Sequence, residues 1–145
     1  MPNTMNQDYD LCLLKSLVLK KSLSLKNLKE TERWLLLSCA ALTLKFDEIY
    51  SEVEVSFALK KWLSEEGEML RIDAIELRRT LIDLALWKRS VTGREYYLAV
   101  LNENHDAYPQ WVTLQASAYS ELICRWKAEE LVHRQERLKN FKQLS

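Results

Sequence analysis

The residues best suited to chemistry in this chain are cationic. Between Arg71 and Arg94 stand six basic residues, Arg71, Arg78, Arg79, Lys88, Arg89 and Arg94, against three acids, Asp73, Glu76 and Asp83. Guanidinium and ammonium groups hold phosphate oxygens through charge-assisted hydrogen bonds, and arginine can also read a guanine edge. Arg78, Arg79, Thr80, Lys88, Arg89 and Arg94 are therefore candidate DNA-binding residues. Catalytic chemistry is poorly represented. Glu65, Glu66 and Glu68 cluster, but no apolar surroundings raise a carboxyl pKa toward general-acid use. Gly67 and Gly93 are the only glycines, so no glycine-rich loop cradles a phosphate. Cys12, Cys39 and Cys124 lie far apart, and His105 and His133 have no ligand partner at metal spacing. Three reduced, mostly buried thiols are expected, with no metal, no cofactor and no enzyme activity.

The elements that must position these cations have visible boundaries. Ser51 precedes a helical run with Glu54 three positions on, the spacing of a capping box. Val55, Leu59, Trp62 and Leu63 then recur at helical spacing as a buried face. The run weakens at Glu65 and Glu66, where Gly67 is expected to take a left-handed C-cap conformation. Asp73 and Glu76 repeat the capping box, and Ala74, Leu77, Leu81, Leu84 and Ala85 form the next inward stripe. Trp87 to Val91 and Glu95 to Val100 read as strands around the Thr92–Gly93 turn. Helix, helix, hairpin is the layout of a small winged helix. On the second helix a wheel turns Glu76, Arg79, Thr80 and Asp83 outward and leaves Arg78 at the edge of the buried stripe. Arg79 is expected to pair with Glu76 and Asp83 one turn away.

The order Tyr50-Ser51-Glu52, Glu54-Val55, Leu77-Arg78-Arg79, Asp83, Arg89, Gly93 and Tyr96-Tyr97 resembles a bacterial domain-of-unknown-function family, number two-zero-eight-seven. The resemblance spans roughly residues 46 to 98. It implies a winged-helix-like fold, found alone or joined to helix-turn-helix regulators, and no assigned activity. Leu84-Ala85-Leu86 departs from it where a glycine is expected before the first strand.

The flanks are helical in character. Of 145 residues 48% are apolar and 29% charged, with two Gly and two Pro, which favours a mostly α, folded chain. Formal net charge is zero, so attraction to nucleic acid must come from a local patch. Leu11, Leu14 and Val18 have helical spacing, whereas Leu17, Leu19, Leu23 and Leu25 alternate like a strand; a helix to about Lys21 and an extended connector are expected. Asn27 with Glu30 reads as a third capping box, opening a helix over Leu28 to Lys45. Its apolar run Leu35 to Leu44 is shorter than the ~20 residues a membrane span needs. Asp8 and Asp10 have the wrong sign for a secretory signal, so a cytoplasmic location and no membrane partner are expected. Lys15, Lys20, Lys21, Lys26 and Lys29 form a basic run, either a solvated face or a second grip on phosphate. Beyond the polar loop Asn102 to Pro109, one long helix from about Trp111 to Lys142 is expected. It either folds back onto the core or pairs with a second copy, and pairing is favoured because Leu131 to Phe141 outruns a compact domain.

The sequence thus predicts a mainly α fold: a winged helix-turn-helix core with a β-hairpin wing and flanking N- and C-terminal helices. Its parts are residues 1–26, 27–101 and 102–145. The expected function is a DNA-binding transcriptional regulator that contacts double-stranded DNA. It is expected to form a homodimer through Tyr119, Leu122, Ile123, Trp126, Leu131, Leu138 and Phe141. The alternative is a non-catalytic module that docks another protein through its acidic helix, with Trp62, Trp87, Trp111 and Tyr119 as anchors.

Overall fold

Local chemistry sets most element boundaries in the computed structural model, which describes residues 4–144. The helices are α1 (Thr4–Val18), α2 (Glu30–Ala41), α3 (Glu52–Ser64), α4 (Ala74–Asp83), α5 (Tyr108–Ala116) and α6 (Tyr119–Leu144). The strands are β1 (Tyr50–Ser51), β2 (Trp87–Arg89) and β3 (Glu95–Leu98), and a 3-10 turn occupies Leu25–Asn27. The sheet is antiparallel in the order β1-β3-β2, with Tyr50 opposite Tyr96 and Trp87 opposite Leu98. The run α2-β1-α3-α4-β2-β3 has winged-helix order, and the β2–β3 hairpin is its wing. The expected fold class is present.

The reciprocal cap at Ser51 forms as the spacing predicts. The Glu54 amide donates to Ser51 Oγ at 3.2 Å, and the Ser51 amide donates to Glu54 Oε1 at 3.0 Å. Ser51 is also a strand residue opposite Glu95, and β1 was invisible to periodicity because it is two residues long. At Asp73 only one half of the expected box forms, the Glu76 amide donating to Asp73 Oδ1 at 2.8 Å. Asn27 lies in the 3-10 turn rather than at a helix start; the Lys29 amide instead donates to Glu32 Oε1 at 2.8 Å. α2 also stops at Ala41, four residues short of Lys45.

Two backbone positions depart from expectation. Gly67 does not adopt positive φ. Its amide donates to the Trp62 carbonyl at 2.8 Å, and any Cβ there would overlap the Trp62 ring, so close approach is what requires glycine. Left-handed backbone is instead found at Asp47 and Ala85, both at φ 62°, and Ala85 lies in the Leu84–Leu86 stretch where the resemblance expects a glycine. Ala85 therefore ends α4 rather than extending its inward stripe. Leu86 N–H donates to the Leu81 carbonyl and Ala85 N–H to that of Ile82, both at 3.0 Å, in the pattern that closes a helix with a left-handed residue. Gly93 takes positive φ in the wing turn, as expected.

One hydrophobic core draws on all parts of the chain. Leu14 and Leu17 of α1, Leu36 and Leu37 of α2, Leu59 of α3, Leu77 and Leu81 of α4, Trp111 of α5 and Ile123 of α6 share it. Helix α1 ends at Val18, and the extended segment after it forms a single parallel bridge from Leu23 to Leu70. The helix thus ends three residues before the expected Lys21, and the alternating leucines form no strand beyond this one bridge. The expected single C-terminal helix is two helices. The chain is extended at Ser117, whose Oγ donates to the Leu114 carbonyl at 3.3 Å. That break lets α5 pack on α2 while α6 turns along α1. Asp10 of α1 is buried and accepts from Thr113 Oγ1 of α5 at 3.3 Å. Burial holds its pKa above the ordinary carboxyl value, against the lowering effect of the Thr113 and Gln110 hydrogen bonds.

Candidate functional site

Helix α4 and the wing bring Arg78, Arg79 and Arg89 together along one groove, but in unequal roles. Arg78 points back across the fold. Its Nη1 donates to Ser56 Oγ at 2.9 Å and to Glu52 Oε1 at 3.2 Å, both on α3. Its guanidinium carbon lies 5.7 Å from the Tyr96 ring centre of β3. Arg78 is thus a brace between α3, α4 and the sheet, with Nη1 committed and its side chain mostly buried.

Arg79 is exposed and pairs with neither Glu76 nor Asp83, contrary to the expected intrahelical pairing. The ion pair of this helix is made by the neighbouring Arg78 with a different acid, Glu52 of α3. Thr80 Oγ1 donates to the Glu76 carbonyl at 2.9 Å, which commits its hydroxyl proton within the helix. Lys88 and Arg89 are exposed on β2, and Arg94 is exposed at the wing turn.

A groove of about 290 Å³ opens between α4 and the wing, lined by Arg78, Arg79, Ile82, Asp83, Arg89 and Tyr96. A second, of about 410 Å³, runs along the other side of α4, where Lys26, Arg33 and Arg71 share its lining with Glu76, Thr80 and Asp83. The acids of the outward α4 face are therefore flanked on both sides by cations. Arg33 went unnoticed in the sequence because it belongs to α2, and only the packing of that helix sets it beside α4. The basic N-terminal run divides: Lys26 reaches α4, whereas Lys20 and Lys21 lie toward α6.

The remaining candidates separate by burial. Trp62, Trp87 and Trp111 are core residues, and Trp87 Nε1 donates to the Ala41 carbonyl at 2.9 Å. Tyr119, Leu122 and Trp126 are half-buried, and Ile123 is closed off in its own core, where it offers a partner no surface. Leu131, Leu138 and Phe141 stand exposed on the distal part of α6. Of the cysteines only Cys39 is buried, which corrects the expectation of mostly buried thiols. Burial, with the charge of Glu66, pushes its pKa up. Among the described residues no group of acids, histidines and cysteines is arranged to hold a metal ion, and no helix is long and apolar enough to cross a membrane.

A family model described as "Uncharacterized protein conserved in bacteria (DUF2087)" matches residues 26–98. The chain belongs to DUF2087. The match begins some twenty residues before Phe46, where the resemblance starts, and so takes in α2 along with the wing. The DUF2087 region coincides with the run from the 3-10 turn to the end of β3, leaving α1, α5 and α6 as flanks. No curated protein and no solved structure matches the chain.

Proposed function

We propose that this protein is a non-catalytic, winged-helix DNA-binding regulator that acts as a dimer. Helix α4 approaches the major groove, while Arg79 and Arg89 beside it and Lys88 and Arg94 on the wing hold the phosphate backbone. The observation that carries this reading is the placement of cations on both sides of α4: Arg79 and Arg89 in one groove, Lys26, Arg33 and Arg71 in the other. A molecule with no net charge needs such a local patch, since its overall field does not steer it to DNA. Glu76 and Asp83 on the α4 face then act against phosphate, and favour a base or a bound cation next to them.

The test is fluorescence anisotropy with generic duplex DNA at low and moderate salt. Binding is expected to fall steeply as salt rises. Reversing Arg79, Arg89 and Arg94 to Glu is expected to weaken it and to flatten the log-log salt slope by roughly 0.9 for each phosphate no longer neutralised. Unchanged affinity in the triple variant overturns the reading.

A second reading has its own observation. Val53 and Phe57, one turn apart on α3, are 78% and 69% exposed, and Ile49 just before them is 67% exposed. Such an apolar strip suits a protein partner. Reversing Glu76 and Asp83 separates the two readings, since it strengthens binding to DNA and damages a complex built on the acidic face.

A further inference from the structure

The groove between the end of α1 and α6 has a different make-up from those beside α4. It holds about 500 Å³, within the span of roughly 300–1,000 Å³ typical of small-molecule sites. The partly buried Leu19 and the exposed Leu131 supply the accessible apolar lining over the buried Val18 and Met69, and Lys20, Lys21 and Arg134 stand around it. Two acids also line it, but both are already engaged. Glu68 Oε1 accepts from Lys127 Nζ at 3.3 Å, and Glu130 Oε1 accepts from Arg137 Nη2 at 3.0 Å. Lys127 is fully employed as well, donating to the Glu65 and Glu66 carbonyls at 2.7 and 3.2 Å. The side chains of Lys20, Lys21 and Arg134 make no hydrogen bond or ion pair among the described residues.

We infer that this groove binds a small amphipathic anion, an apolar chain or ring ending in a carboxylate or phosphate. The apolar part covers Leu19 and Leu131, and the anionic end meets Lys20, Lys21 and Arg134. Charge complementarity selects this ligand class. A neutral apolar molecule forgoes charge-assisted bonds to three unpaired cations, and a small inorganic anion leaves Leu19 and Leu131 in water. The site is independent of the face assigned to DNA, so its test needs no DNA.

Isothermal titration of the full chain with decanoate, decanol and acetate provides that test. Decanoate is expected to bind saturably at one site per chain, with decanol and acetate each at least ~10-fold weaker, the equivalent of about 1.4 kcal/mol. Replacing Lys20, Lys21 and Arg134 together by Glu is expected to weaken decanoate by a similar factor and leave decanol unchanged. Leu131→Asp is expected to weaken both. The three cationic positions are exposed, so circular dichroism and melting of the triple variant are expected to match the parent, and Leu131→Asp, on the proposed dimer arm, is compared with the parent at matched oligomeric state. Equal binding of decanoate and decanol, full affinity in the triple variant, or no saturable decanoate binding overturns the assignment.

Discussion

Replacing Arg78 removes an ion pair to Glu52, a hydrogen bond to Ser56 and a cation over Tyr96 together. Its side chain is 16% exposed while that of Glu52 is 62% exposed, so solvent screens much of the charge attraction. Arg78→Ala is accordingly expected to cost about 1–2 kcal/mol of stability. Arg79→Ala, exposed and unpaired, is expected to leave the urea midpoint in place and act on binding instead. Equal destabilisation by the two variants would refute this division of roles. Ala85 offers a test of opposite sign. A left-handed alanine is strained where glycine is not, so Ala85→Gly is expected to add about 0.5–1 kcal/mol, seen as a higher urea midpoint at constant slope. Of these details the sequence showed a glycine missing from Leu84-Ala85-Leu86 and the edge position of Arg78, while it placed Ala85 itself on the inward stripe. It could not show which acid Arg78 meets, because Glu52 lies 26 positions away.

Helix α6 has two regimes. Its first three turns hold Ile123 in the core and tie Lys127 to the carbonyls at the end of α3. From Leu131 to Gln143 every residue is exposed. Most helical stability in proteins comes from tertiary packing, which the proposed dimer would supply to this arm. In the proposed dimer, amide exchange is expected to be slow through Phe141, and Leu138→Asp with Phe141→Asp is expected to yield monomers on sedimentation. Fast exchange beyond Glu130 at all concentrations, with a monomer throughout, would remove the dimer from the reading. The sequence showed the narrow apolar seam of this arm. It did not show the break at Ser117, since the apolar spacing continues across it.

At the scale of the molecule, Asp10 joins the N-terminal flank to α5 through Thr113. Its pKa is raised on folding, so the folded chain holds that proton more tightly than the unfolded one. The ionised carboxylate therefore opposes folding above its folded pKa, and this opposition fades as pH falls toward the ordinary value of 3.8. Asp10→Asn, which keeps an acceptor for Thr113, is expected to raise the melting temperature at neutral pH. The gain is expected to shrink in acid, and a constant gain across pH 4 to 7 would contradict the buried-charge account.

Features that depend on neighbours within a turn or two were legible in the residues alone. The Ser51–Glu54 cap, the α3 apolar stripe, the Ala74, Leu77 and Leu81 stripe of α4 and the Gly93 turn are set by spacing along one element. Which cations share a face was settled by packing. Lys26, Arg33 and Arg71 arrive beside α4 from three separate segments, and Lys20 and Lys21 depart from the same basic run to meet Arg134. Charge acts through space rather than along the chain, so a run of lysines in sequence does not say which surface it will build.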